Sequence, residues 1–549
     1  MRTMTRALGP FALAVLAPLV ARADVSYERL LRAGSEPQNW LTYSGSYASQ
    51  RHSTLREIKP SNAANLELKW VFQAQSLESF ETTPLVVDGV MYLTEAPDTA
   101  VALDPATGRI FWRYQYNPAA SARPCCGRVN RGLAILGERL YMATLDDKLI
   151  ALDATTGQPV WQKSVADPAV GYAMTLAPLI VKNKVIVGVA GGEYGIRGFI
   201  AAFDAATGEE AWRFYTIPAP GEPGADSWKG GGDSWQHGGA SVWLTGSYDP
   251  ELNLTYWGIG NPGPDWNPSQ RPGDNLYSDS VVALDADTGK LKWHFQFTPN
   301  DDYDYDSVQI PVLVDLPTTS VTSGKLMLWA NRNGFAYVLD RTTGKFLRGA
   351  PFVKQTWATG LDESGRPIRA ANSYPTEKGT LIYPGIQGGT NWYSPSFSPR
   401  TGLFYVSAWQ DYYATFVEGS GDFVAGRYYM GGSFRSPIPT VAKRVPVNSW
   451  TEEGGHGEVM AIDPQTGDKK WTFPMHDVTD SGILTTASDL LFTGGREGYF
   501  YALDAKTGAK LWQITLGGQV VAGPISYEAG GAQYVSIAAG EGLFVFGLR

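Results

Sequence analysis

The chain runs to 549 residues, with 54 acidic against 45 basic side chains for a net charge of -9, and only 18% of its residues are charged. No segment carries a Lys/Arg cluster, so the balance excludes a basic footprint for nucleic acid, and an electrostatically attracted partner would be cationic. With 62 Gly, 35 Pro, 18 Trp and 28 Tyr against 9 Met, the composition is turn-rich and aromatic, the balance of an all-β chain.

Met1 to Arg6 carry two arginines, Ala7 to Ala21 are apolar, and Ala21-Arg22-Ala23 is a small-x-small cleavage site. Residues 1–23 therefore read as a secretory signal peptide, with a mature chain from about Asp24 exported to an oxidising compartment. The apolar core of this leader is too short to span a bilayer, and no later run approaches the roughly 18 apolar residues a span needs.

The two cysteines, Cys125 and Cys126, are adjacent. A bridge between neighbours closes no useful loop. It would also join Cα atoms only about 3.8 Å apart, below the usual disulfide range. Buried free thiols and a strained ring that serves a site both fit, and an oxidising compartment favours the ring.

A phrase of the form Ala-(Leu/Phe/Ile)-Asp-x-x-Thr-Gly-x-x-x-Trp recurs at Ala102 to Trp112, Ala151 to Trp161, Ala202 to Trp212, Ala283 to Trp293, Ala461 to Trp471 and Ala502 to Trp512. Val338 to Phe346 is a variant without the tryptophan. Each copy reads as a hairpin whose Asp-x-x-Thr-Gly turn places glycine at positive φ. A second, less regular hairpin precedes each copy, beginning with Pro84 to Leu93, Leu133 to Thr144 and Pro178 to Gly188 and ending with Pro524 to Ala538. Leading hairpins outnumber trailing ones by one. The count closes at eight if Gly542 to Gly547 pairs with Leu66 to Phe72. The expected fold is an all-β, eight-bladed β-propeller of four-stranded antiparallel blades, one unit over 24–549, with the tryptophans packed between blades.

Long insertions are expected at Pro218 to Gly239, Asn261 to Asp279, Phe346 to Thr390 and Trp409 to Gly455, and loops of such length are usually functional. Just after the second comes Asn300-Asp301-Asp302-Tyr303-Asp304-Tyr305-Asp306. If Tyr303 to Asp306 is extended, Asp304 and Asp306 share a face roughly 7 Å apart, a gap that one hard cation bridges. An EF-hand is excluded, because Ser307 stands where that loop needs glycine and Leu313 where it needs glutamate. A solvated acidic loop is the alternative.

Several further motifs stand in a fixed order: Cys125-Cys126-Gly-Arg-Val-Asn-Arg131, Gly191-Gly192-Glu193-Tyr-Gly, Gly260-Asn261-Pro-Gly-Pro and Arg271-Pro-Gly-Asp-Asn275, then the acidic stretch. With the tryptophan phrase, they make the chain resemble the pyrroloquinoline quinone (PQQ) dependent alcohol dehydrogenases, the periplasmic methanol and ethanol dehydrogenase-like quinoproteins. The resemblance covers essentially the whole expected mature chain. It implies PQQ held between a vicinal disulfide of Cys125 and Cys126 and the indole of Trp243. Glu81, Arg131, Thr175, Arg332 and Asn391 would stand around the rim, with Gly191 and Gly192 allowing close backbone approach.

The same resemblance implies metal ligation by Glu193, Asn261 and Asp304. Asp306 is similar to the extra aspartate of the lanthanide-using branch, where a trivalent ion needs one more carboxylate; calcium is the alternative ion. The implied reaction is oxidation of a primary alcohol to an aldehyde, the metal acting as Lewis acid, Asp304 as general base and Arg332 near the quinone oxygens. Electrons would pass to a periplasmic cytochrome c, since no Cys-x-x-Cys-His haem motif occurs, and the resemblance is compatible with a homodimer. Where methanol dehydrogenases carry a tryptophan, this chain reads Val478-Thr-Asp480-Ser-Gly482, which puts one rim contact in question. His237, His456 and His476 read as loop or core residues. Rival readings are a calcium-dependent alcohol, polyol or sugar dehydrogenase of the same fold, and a non-enzymatic propeller scaffold of outer-membrane assembly.

Overall fold

The Asp-x-x-Thr-Gly turn folds alike at each copy. At Ala102 to Trp112, Asp104 Oδ1 accepts the Ala106 N–H at 2.9 Å and Asp104 O accepts the Gly108 N–H at 2.8 Å. The turn glycines of all seven copies, the variant included, lie between φ +68 and +82, the left-handed region that favours glycine. In each hairpin the alanine pairs with the tryptophan position, and the register slips directly after it, as between Ala102↔Trp112 and Leu103↔Ile110.

That geometry delivers the indole to the next blade. The Trp112 ring lies over Gly157, where an added Cβ would stand 2.5 Å from the ring, and its Nε1 donates to Ala154 O at 3.0 Å. Trp161, Trp212 and Trp471 repeat the arrangement, donating to Ala205, Ala286 and Ala505 carbonyls. Burying one such ring stabilises the seam by roughly 3 kcal/mol. In the variant copy Arg348 occupies the tryptophan register, opposite Val338. There a cavity of about 30 Å³ remains between neighbouring blades, lined by Val338, Arg348, Phe404 and Ile462.

This computed structural model describes residues 24–230, 232–316, 324–438 and 452–549, so the expected leader lies outside the described residues. Blades 1 to 7 span 85–115, 134–164, 179–215, 247–296, 312–351, 396–474 and 484–515. Blade 8 joins three strands within 525–548 to Leu66–Gln73, which pairs antiparallel with Gly542–Leu548. Trp70 on that N-terminal strand docks as the other tryptophans do, its Nε1 donating to Pro105 O at 3.2 Å beside Gly108. The fold is the expected all-β propeller of four-stranded antiparallel blades. No described helix is long and apolar enough to cross a membrane.

Two expected boundaries shift. Phe346–Pro351 is the outer strand of blade 5, paired with Phe335–Asp340, so that insertion starts later than expected. Trp409 lies inside the strand Leu403–Gln410. The insertions carry small sheets of their own: Ala358–Leu361 with Pro367–Arg369, and Thr380–Ile382 with Ala414–Glu418 and Gly432–Arg435. They pack onto the other long loops, with Trp266 against Phe434 and His237 stacked on Phe423, and so enclose the acidic stretch.

Candidate functional site

The acidic stretch is irregular, and Asp304 sits at φ +60. The extended alternation expected for Asp304 and Asp306 therefore does not occur. Their carboxylates converge because Arg332, in the turn between Lys325–Ala330 and Phe335–Asp340, reaches both. Its Nη1 lies 2.8 Å from Asp306 Oδ2 and its Nη2 3.2 Å from Asp304 Oδ2. Arg332 Nε donates to Ile386 O at 2.8 Å, which fixes the plane of the guanidinium.

Asp306 Oδ1 accepts the Asn261 N–H at 2.9 Å, and a Cβ on Gly260 would collide with that oxygen. Glu193 follows the left-handed Gly191, and its carbonyl accepts the Tyr429 N–H at 2.7 Å from the insertion that covers it. Arg271, fully buried, donates to the carbonyls of Pro264, Asp265 and Asp301 and to Asn275 Oδ1. The Arg271-Pro-Gly-Asp-Asn275 motif thereby ties the Asn261 loop to the acidic stretch.

More acid surrounds this point than the sequence reading assigned. Asp302 pairs with Arg369, and Asp301 accepts the Tyr303 and Tyr305 N–H groups at 3.1 and 2.7 Å. Asp265 and Asp279 are buried with no hydrogen-bond donor on any carboxylate oxygen. Among the described residues, the arginines that act on Glu193, Asp265, Asp279, Asp301, Asp302, Asp304 and Asp306 are Arg271, Arg332 and Arg369. Burial holds Glu193 up at about 7; Asp306 adds to the shift, while its own backbone N–H and Arg332 oppose it. Burial also pushes Asp304 well up, with Arg332 opposing and Asp306, Asp265 and Glu193 adding. Buried acids of this kind either hold protons or are compensated by a cation, and an all-oxygen donor set suits a hard one.

Beside the acids lies a cavity of about 150 Å³. Glu81, Cys125, Cys126, Arg131, Thr175, Gly191, Glu193, Trp243, Asp304, Asp306, Arg332 and Asn391 all line it. Gly192 and Asn261 do not: they pack behind the wall, the Asn261 Oδ1 lying 3.8 Å from where a Gly192 Cβ would be. Cys125 and Cys126 are joined as a vicinal disulfide, and a Glu193 carboxylate oxygen lies within 4.8 Å of both sulfurs. Arg131 lies over Trp243 and Trp392, 5.1 and 4.6 Å from the ring centroids. It contacts Glu81 at 2.8 Å and Thr175 Oγ1 at 2.9 Å, while its buried Nε has no acceptor. A flat anionic ligand fits such a site: aromatic and disulfide walls, with donors around the edge. Asn391 is braced by Gln387, its Nδ2 2.7 Å from Oε1.

Trp392, Gln387, Arg271, Asp265 and Asp279 were not assigned roles from sequence. Trp392 and Asp265 had a local signal, standing directly after Asn391 and after the Gly260-Asn261-Pro-Gly-Pro motif; Asp279 had none. Asp480, at the expected tryptophan position, lines the cavity and accepts from Arg496 Nε at 2.6 Å. None of His237, His456 and His476 lines it.

The family model described as "Glucose/ethanol/alcohol dehydrogenase, beta-propeller domain" matches residues 40–356. The quinohemoprotein alcohol dehydrogenase ADH IIB of Pseudomonas putida is 39% identical over 96% of this chain and 77% of its own. The chain belongs to the PQQ-dependent alcohol dehydrogenases. Another relative of this quinoprotein, the quinoprotein alcohol dehydrogenase PedH of Pseudomonas putida, is 39% identical over 96% of this chain and 90% of its own. Among solved structures, a europium-containing methanol dehydrogenase superposes with a TM-score of 0.86 at 33% identity, covering 95% of this chain and 100% of that one. A second family model, "Outer membrane protein assembly factor BamB", matches 455–540, which holds two copies of the tryptophan phrase.

Proposed function

We propose that this dehydrogenase oxidises primary alcohols to aldehydes in the periplasm with PQQ and a lanthanide ion, after export and loss of residues 1–23, and passes the electrons to a cytochrome c. Glu193, Asn261, Asp304 and Asp306 hold the ion. Cys125, Cys126 and Trp243 supply the flat walls of the PQQ site, and Glu81, Arg131, Thr175, Asn391 and Arg332 its edge. The observation that carries the choice of ion is the excess of carboxylates at the site, with Asp306 among them. A divalent ion leaves more of that charge uncompensated than a trivalent one. The europium-containing methanol dehydrogenase, similar over 95% of this chain, supports the same choice.

When bound, PQQ supplies a two-electron acceptor and the ion supplies Lewis acidity. The chain's own residues handle the proton. The Asp304 side chain is 22% exposed against 9% for Asp306, so Asp304 is the acid that reaches an alcohol in the cavity. It pairs with Arg332 through Oδ2, and Oδ1 takes the hydroxyl proton. Arg332 keeps the spent carboxyl in place and offers positive charge to the reduced site. The two cysteines are adjacent, so these 549 residues hold no Cys-x-x-Cys-His haem motif of their own, which is in keeping with a cytochrome c as the acceptor.

Reconstitution tests this reading. Metal-free protein is loaded with PQQ and either calcium or a light lanthanide, and dye-linked alcohol oxidation is measured. Activity with the lanthanide only, or far above that with calcium, is expected; equal or better activity with calcium contradicts the ion assigned here.

A further inference from the structure

Asp265 is 1% exposed, and neither of its carboxylate oxygens has a hydrogen-bond donor. The backbone around it is fastened firmly: Arg271 Nε donates to Pro264 O and Nη2 to Asp265 O, each at 3.0 Å. The fold therefore holds this side chain in the interior without a hydrogen-bond partner, an arrangement that needs a physical reason. Glu193, Arg271 and Asp306 are the charged groups that act on it most, and the Asn261 amide lies beside it, close enough to favour its charge though outside hydrogen-bond geometry.

Asn261 has little freedom apart from its side-chain torsions. Its N–H donates to Asp306 Oδ1, and its carbonyl accepts the Ala240 N–H at 2.9 Å. Its Oδ1 lies 3.8 Å from where a Cβ on Gly192 would be, in the turn that carries Glu193, and Nδ2 is the end of the amide that can donate toward Asp265. The two ends of an amide are nearly equal in size and opposite in function, since oxygen ligates a cation and NH₂ cannot. A carboxylate behind Asn261 only accepts, so it selects the orientation with NH₂ turned back and oxygen turned forward.

We propose that Asp265 is a positioning residue of the cation site, taking the Asn261 Nδ2 amide so that Asn261 Oδ1 is presented to the ion, and adding a negative charge behind the ligands. This rests on the cation site proposed above. Partners behind metal ligands commonly contribute about 10- to 100-fold in affinity.

The test titrates Eu³⁺ into the metal-free full chain with PQQ present and follows europium luminescence. Asp265→Ala is expected to weaken Eu³⁺ binding by about 10- to 100-fold. Asp265→Asn, which keeps the volume and an acceptor but loses the charge, is expected to fall between it and the unsubstituted protein. Because Asp265 acts largely through Asn261, Asp265→Ala on top of Asn261→Ala should cost clearly less than Asp265→Ala does alone, what remains being the loss of its charge. The thermal midpoint of metal-free Asp265→Ala should equal or exceed that of the unsubstituted protein, since an unpaired buried carboxylate has been removed. A merely structural residue would lower that midpoint and leave the affinity alone. Eu³⁺ affinity within about twofold of the unsubstituted protein in both variants, or fully additive losses with Asn261→Ala, overturns the proposal. If the unsubstituted protein itself fails to bind Eu³⁺, the cation reading and this proposal fall together; tight binding untouched by the substitutions overturns this proposal alone.

Discussion

Asp306 gives Oδ2 to Arg332 Nη1 at 2.8 Å and Oδ1 to the Asn261 N–H at 2.9 Å, so one carboxylate joins three segments of the site. Removing it leaves Arg332 paired with Asp304, and the surrounding acids lose a repelling neighbour. Asp306→Ala is therefore expected to fold. It should lower lanthanide-supported kcat/KM by roughly 10- to 100-fold while changing calcium-supported activity far less. Dye-linked steady-state assays with each ion check this, and an equal loss with both contradicts a role for Asp306 in choosing the ion.

Arg131 bridges Glu81 and Thr175 while lying over Trp243 and Trp392. Lysine has neither the planar fork nor the stacking surface to do both. Arg131→Lys should weaken PQQ binding by on the order of 100-fold, the equivalent of one charged hydrogen bond, with little change in thermal midpoint. Equilibrium binding of PQQ followed by Trp fluorescence gives the number.

The blade seams make two opposite predictions. A Cβ on Gly157 would stand 2.5 Å from the Trp112 ring at φ +71, so Gly157→Ala should destabilise by about 2 kcal/mol or more. Arg348→Trp should fill the cavity of about 30 Å³ between blades 5 and 6 and stabilise that seam by about 1 kcal/mol. Denaturant midpoints measured on the metal-free protein report both.

The pH dependence follows from burial. Glu193 is held up at about 7 by burial with Asp306 adding, and Asp301 at about 7 by burial with Asp302 adding. Between the ordinary carboxyl value and 7, the folded chain keeps protons that the unfolded chain has released. Their contribution to stability is fully present below the ordinary value and is lost as pH rises through 7. The metal-free protein should therefore unfold at a lower temperature at pH 8 than at pH 5. In the lanthanide-loaded protein the ion takes the protons' place, and the decline should vanish. Thermal unfolding of both forms across that range checks the difference.

The blade count was legible because its physics is local: a glycine that admits an indole and an aspartate that closes the turn recur at fixed spacing. Trp70 escaped the repeat because its strand is contributed from the other end of the chain, with no Asp-x-x-Thr-Gly turn to announce it. The resemblance named residues that the fold gathers around one cavity, Gly192 and Asn261 excepted, yet their geometry was not legible. Asp304 and Asp306 meet through a left-handed residue and an arginine from blade 5, not through the alternation of a strand. Asp265, though it follows the Gly260-Asn261-Pro-Gly-Pro motif, and Asp279 were not singled out, since what marks them is the lack of a hydrogen-bond donor on their carboxylates once the loops have closed.

The most direct test of the cation site is anomalous X-ray scattering from crystals of the PQQ- and lanthanide-loaded protein, collected at the absorption edge of the ion. One strong peak is expected about 2.3–2.6 Å from side-chain oxygens of Glu193, Asn261, Asp304 and Asp306, a hard-cation distance. A peak elsewhere, or one that Asp306 ignores while remaining paired with Arg332, would contradict this site.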